Sequence, residues 1–240
     1  MKRTAKTLIL IIALLLPGVD GALAQSARDL NTQGYRLYVK GKFPEALAYF
    51  RRAVAEDPDY TLGRYNLACT LGVLRKRGPE AVCRYDAYKS AILDQLEEAV
   101  RLDPATRRKI QTDPDLDPIR DTVRYLRLIG YSPTNEQDVG PILVSVSWFG
   151  AASGAFGPAA DIDFRQDGTV FLTLLDTATD VVTHNEFQGT FRVAANRITI
   201  TLDRQLHGVT TFEGTMLPGG SLDIPGLPGP FTDDPHECEA

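Results

Sequence analysis

The chain has 240 residues, 43% of them hydrophobic and 24% charged, with a formal net charge of −5. That length allows more than one domain. The acidic balance, with no basic stripe interleaved with aromatics, argues against a nucleic-acid partner, and no segment beyond the first 24 residues is long and apolar enough to cross a membrane.

The N-terminus reads as a leader. Lys2, Arg3 and Lys6 precede an unbroken apolar run from Leu8 to Leu16, and Pro17-Gly18 ends it. Ala22-Leu23-Ala24 places small residues where a signal peptidase reads, so cleavage is expected after Ala24. A retained anchor is the competing reading; about nine apolar residues are too few to span a bilayer. No cysteine lies near the cleavage point, which argues against a lipid-anchored form. A Gram-negative periplasmic or secreted location is therefore expected.

Charge then divides the rest. Residues 25–130 carry 19 Lys and Arg against 15 Asp and Glu, whereas residues 131–240 carry 4 against 15. A boundary near residue 130 explains the split. The expected organisation is a signal peptide (1–24), a helical domain (25–130), a polar linker (131–141) and a β-rich domain (142–240).

In the helical half, Ala46, Phe50 and Ala53 recur at spacings of four and three, one apolar helical stripe. Gly34 falls where a preceding helix would cross it, and Gly41 lies in the turn before Phe43. Asp57-Pro58 ends the second helix, because proline cannot continue it and disfavours helix in the residue before. A second copy starts near Thr61 with Tyr65, Leu67, Ala68 and Leu71, and closes with Leu96, Ala99 and Asp103-Pro104. The two Asp-Pro marks lie 46 residues apart, about 12 more than one 34-residue repeat needs. The excess sits around Arg75-Lys76-Arg77-Gly78-Pro79. Ala105 to Ile110, the turn-rich Asp113–Pro118 and an amphipathic helix from Ile119 to Leu128 read as a degenerate third unit acting as a cap.

These positions make residues 27–60 resemble a tetratricopeptide repeat, with Leu30 where that family usually has tryptophan. The resemblance implies stacked helical hairpins that form an interaction surface rather than an active site. Some members clamp a partner's terminal carboxylate with Lys and Asn; Asn66 and Arg108 match that set, but Asn31 and Tyr35 depart from it. A groove of Tyr35, Tyr38, Tyr65 and Asn66, with Arg108 beside it, is the candidate site for a protein or peptide partner. Tyrosines at helical spacing also serve as packing residues.

Three cysteines are present: Cys69, Cys83 and Cys238. Export implies an oxidising compartment. Cys69 precedes the insert and Cys83 lies within it, so a Cys69–Cys83 disulfide tying the extra loop to its helix is expected, with a stabilisation of roughly 3 kcal/mol. Two buried reduced thiols are the alternative.

In the acidic half, expected strands are Ile142–Trp148, Asp161–Arg165, Thr169–Leu175, Glu186–Val193, Arg197–Leu202, Val209–Leu217 and Leu222–Ile224. Asp167-Gly168 and Ala195-Asn196 mark turns between them. The fold class is α+β in two domains, with an antiparallel meander closing as a barrel or sandwich. Phe164-x-x-Asp167-Gly168-Thr169, Gly189-Thr190-Phe191 and Phe212-Glu213-Gly214 resemble small lipocalin-like barrels, which implies room for a small apolar ligand. With so few strands, an interior filled by Trp148, Phe164, Phe171, Phe187 and Phe191 is the favoured reading. Gly150–Pro158 and Pro225–Pro230 read as contact loops.

No catalytic pattern emerges. Ser153 lacks the flanking glycines of a nucleophile turn. Arg165 interrupts the calcium-like Asp161, Asp163, Asp167 series, and His236-x-Cys238 stands without a second ligand pair. The sequence thus predicts a non-enzymatic exported scaffold without cofactor or metal; its alternative is a carrier of a small apolar ligand in the β domain.

Overall fold

The computed structural model describes residues 25–151, 159–176 and 183–233. The leader and its cleavage point, Ser153, His236 and Cys238 lie outside the described residues. The fold is a stack of helices followed by an antiparallel eight-stranded closed barrel.

The first hairpin pairs α1 (Ala27–Tyr38) with α2 (Phe43–Glu56). The Ser26 side chain caps α1 by accepting from the Asp29 amide at 3.2 Å. Gly41 turns the chain with φ +72°, a conformation open to glycine because it has no Cβ. Ala46, Phe50 and Ala53 are fully buried. A Cβ on Gly34 would come within 2.8 Å of the Phe50 ring, so the expected close crossing of the two helices is what glycine permits here.

The second hairpin pairs α3 (Thr61–Arg75) with α5 (Lys89–Leu102). The excess chain between them contains a short seven-residue helix, α4 (Pro79–Tyr85). Both repeats end alike: Asp57 and Asp103 leave the helix in extended backbone, and their amides bond Ala53 O and Ala99 O. Each is followed by proline, which explains the shared geometry.

The capping unit contains α6 (Thr106–Thr112), a 3-10 helix (Pro114–Ile119) and α7 (Val123–Ile129). The last helix starts four residues later than its apolar pattern implied. Thr122 is its N-cap, accepting from the Tyr125 amide at 3.2 Å, and Ile119 ends the 3-10 turn instead. Arg124 ties α7 to α5 by reaching Asp94 and Glu97, each at 2.7 Å.

The segment expected as a linker is helical from Glu136: α8 (Glu136–Leu143) is capped by the Asn135 side chain on the Gln137 amide at 3.2 Å. The first strand accordingly begins at Ser147, not Ile142. Val139, expected in the linker, and Ile142 and Leu143, expected in a strand, occupy a buried helical face. A short apolar run does not distinguish these two states.

The strands are β1 (Ser147–Ala151), β2 (Ala159–Phe164), β3 (Thr169–Asp176), β4 (Thr183–Ala194), β5 (Arg197–Leu206), β6 (Val209–Met216), β7 (Leu222–Asp223) and β8 (Phe231–Thr232). Neighbours in sequence pair antiparallel, and β8 closes the sheet on β1 through Phe149 opposite Thr232 and Gly150 opposite Phe231. The Ala195-Asn196 and His207-Gly208 turns place both residues at positive φ, the backbone hand that suits two-residue hairpins. Alternate residues fill the interior: Trp148, Val170 and Ile198 are fully buried, with Phe164, Phe187 and Phe231 around them. Phe191 is half-buried and packs edge-on to Phe164. Phe171 does not contribute, because period-two alternation turns it outward, under the Arg165 guanidinium at 3.8 Å.

Barrel and helices share one continuous core. The Trp148 indole donates to the Leu143 carbonyl at 3.1 Å. The Val123 amide, at the open start of α7, donates to the Asp233 carboxylate at 2.6 Å, which neutralises an unpaired helix-end donor.

Candidate functional site

Helix α3 carries Tyr65, Asn66 and Cys69 toward α1, which supplies Tyr35 and Tyr38. The 3-10 helix comes close enough to add Asp113 and Asp115 because α3 has glycine at position 72. A Cβ there would stand 2.1 Å from the Asp115 carbonyl oxygen. Asp113 begins the 3-10 helix, its carboxylate accepting the Asp115 amide at 3.0 Å. This local capping fixes one carboxylate, and the turn that follows presents the next on the same side.

Together Tyr35, Tyr38, Tyr65, Asn66, Cys69, Asp113 and Asp115 line a cavity of about 140 Å³ over the buried ring of Phe50. Four residues expected at the site therefore converge. Arg108 is not among its lining residues: Thr106 and Ile110 are the buried positions of α6, and a residue two positions from each faces the opposite side of a helix. The nearby base is Lys109, its ammonium 5.9 Å from the Tyr65 ring centroid.

Hydrogen bonds hold the walls. The Tyr38 hydroxyl donates to Asp115, and the Tyr65 hydroxyl donates to Asp113 at 2.5 Å. Asn66 donates its amide to the buried Asn31 side chain at 2.8 Å. The rings of Tyr35 and Tyr38 lie nearly parallel, with centroids 6.5 Å apart. Tyr35 remains 55% exposed and forms the rim.

Cys69 is a free buried thiol, so the expected Cys69–Cys83 disulfide is not formed. Its sulfur lies 3.5 Å from the Asp113 carboxylate, on the cavity side of α3, whereas Cys83 sits on the exposed side of α4. Sequence proximity to the insert did not reveal that α3 turns position 69 toward the cap. Burial, then the fields of Asp113 and Asp115, push the thiol's pKa up. Burial first, then the same carboxylates and the thiol, also push the Tyr38 and Tyr65 phenols above their ordinary range. All three groups are held as protonated donors. The sulfur and the carboxylate oxygens of Cys69, Asp113 and Asp115 lie within 4.8 Å of one another, and a thiol would have to lose its proton to ligate a metal there.

Asp113 and Asp115 were not expected at the site. Asp113-Pro114-Asp115 reads in sequence as a turn, and its approach to α3 depends on Gly72. With two carboxylates facing the cavity, a terminal carboxylate of a partner would be repelled, the reverse of the clamp that Asn66 and Arg108 partly matched.

Residues 27–60 match the family model of the tetratricopeptide repeat. This span covers α1 and α2 and gives the helical region its tetratricopeptide-like character. No curated protein matches the chain. Among the described residues, no helix is long and apolar enough to cross a membrane.

Proposed function

We propose that this protein is an exported, non-enzymatic interaction scaffold that binds a protein or peptide segment across α1 and α3. The single observation that carries this reading is the convergence of Tyr35, Tyr38, Tyr65 and Asn66 on one cavity beside a tetratricopeptide match. Tyrosine rings give large contact area at low entropic cost, and Tyr35 is presented at the surface. The raised pKa values of Cys69, Tyr38 and Tyr65 disfavour nucleophilic or general-base roles, because each would have to ionise. The basic start, apolar run and Ala22-Leu23-Ala24 support export to the periplasm or medium, and N-terminal sequencing of the mature protein should begin at Gln25.

A photo-crosslinking residue at Tyr35 tests the binding reading, with a second at Val209 on the barrel surface as reference. A discrete adduct from position 35, lost with Tyr65→Ala, is the expected result; equal labelling from both positions would overturn it. A second reading, a small apolar ligand in the β domain, has one observation in its favour. A cavity of about 620 Å³ opens beside Leu174, Phe187 and Leu227, with Asn185, Arg204 and His207 also in its lining. Enhancement of an apolar dye's fluorescence, abolished by Leu227→Asp, would support it.

A further inference from the structure

We propose that the cavity between α1, α3 and the 3-10 helix receives one cationic side chain, Lys or Arg, from the partner segment. This rests on the reading that the helical face binds a polypeptide, and it names the chemistry recognised. Asp113 and Asp115 place two carboxylates in the lining of a cavity of about 140 Å³. Each is held by a phenol, Asp113 by Tyr65 and Asp115 by Tyr38. Among the described residues, no salt bridge involves either carboxylate.

Three cations beside the 3-10 helix have other partners. Lys76 bonds the Pro114 carbonyl and Asp117. Arg120 bonds the Asp113 carbonyl and Asp117. Lys109 lies over the Tyr65 ring rather than against a carboxylate.

Two negative charges between aromatic walls attract a cation by charge and by the ring quadrupoles. An anion is repelled. A neutral apolar group would shield the carboxylates from water while leaving them with hydrogen bonds but no countercharge. The size sets a second limit: ordinary small-molecule sites run to about 300 Å³ or more, and this cavity suits an ammonium with its last methylenes, or a guanidinium. The exposed ring of Tyr35 at the rim offers the face on which a guanidinium stacks.

The test uses the full mature chain against a positional-scanning array of synthetic dodecapeptides. Expected binders share Lys or Arg at one position, and replacing that residue with norleucine weakens binding about tenfold. In Asp113→Asn/Asp115→Asn the preference for Lys over norleucine falls below about twofold, while far-ultraviolet circular dichroism is unchanged. Should that double variant fail to fold, Tyr35→Ala, whose side chain makes no hydrogen bond among the described residues, is expected to weaken Arg-containing binders at least threefold. Peptides that bind with no basic preference would overturn the cation inference while leaving the peptide-binding reading intact. No peptide binding would overturn both. Binding abolished by a chelator would overturn the inference in favour of a metal held by Cys69, Asp113 and Asp115.

Discussion

The helical stack and the barrel bury apolar surface by different means, and the difference locates the cavity at which binding is proposed. In the barrel each strand pairs on both sides, β8 returns to β1, and alternate side chains fill the interior around Trp148 and Phe231. Closure uses up the edges and the inner face together. In the helical half each hairpin covers the one before it on one side only, so a concave surface is left where α1, α3 and the 3-10 helix meet. Tyr35 and the part-buried carboxylates of Asp113 and Asp115 line the cavity there. A closed sheet is completed by its own strands, whereas a repeat stack leaves its outer faces without a neighbouring repeat.

The largest effect should come from breaking the closed half. Trp148→Ala removes the fully buried ring and its bond to Leu143, with an expected loss of about 4 kcal/mol; urea denaturation followed by near-ultraviolet circular dichroism measures it. Gly72→Ala strikes the open half instead. Its Cβ would meet the Asp115 carbonyl at 2.1 Å, backbone that cannot move without shifting the 3-10 helix. A destabilisation of about 2–3 kcal/mol is expected, with loss of peptide binding but retained barrel amide protection in hydrogen exchange.

Tyr65→Phe sharpens the contrast by leaving the packing in place. It deletes only the hydroxyl bonded to Asp113, and should cost about 1.5–2 kcal/mol by urea midpoint. The same site should make the helical half alkali-sensitive. The folded state holds the Tyr38 and Tyr65 protons above the ordinary phenol range, whereas the unfolded chain releases them near pH 10. Their contribution is therefore complete below about pH 10 and is lost as pH rises above it. Urea midpoints at pH 8 and pH 11 should differ less for Tyr38→Phe/Tyr65→Phe than for the natural chain. Arg124→Ala should matter least, under about 1 kcal/mol by thermal melt, because its bridges to Asp94 and Glu97 are solvent-exposed.

What could be read from residues alone was what local chemistry controls. Ala46, Phe50 and Ala53 marked a helical stripe, Gly34 a close crossing, and Asp57-Pro58 and Asp103-Pro104 two matching helix ends. Asp167-Gly168 and Ala195-Asn196 marked the hairpins of the sheet. Each signal lies within a few residues of the structure it specifies. The helix at Glu136–Leu143 was missed because Val139, Ile142 and Leu143 fit a strand as well as a helix over so short a run. Strand β8 was missed because two residues bounded by proline-rich chain carry no period at all.

The sequence by itself determined the helix-then-sheet order, the tetratricopeptide-like first repeat and the tyrosines of the groove, since spacing and turn chemistry act locally. Only the tertiary structure decided that Asp113 and Asp115 enter that groove, that Arg108 stays outside it and that Cys69 remains a thiol. Those outcomes depend on how α3, α6 and the 3-10 helix rotate and approach one another, and a contact such as Asp115 against Gly72 joins residues 43 positions apart. No local pattern encodes a distance of that kind; shared packing sets it.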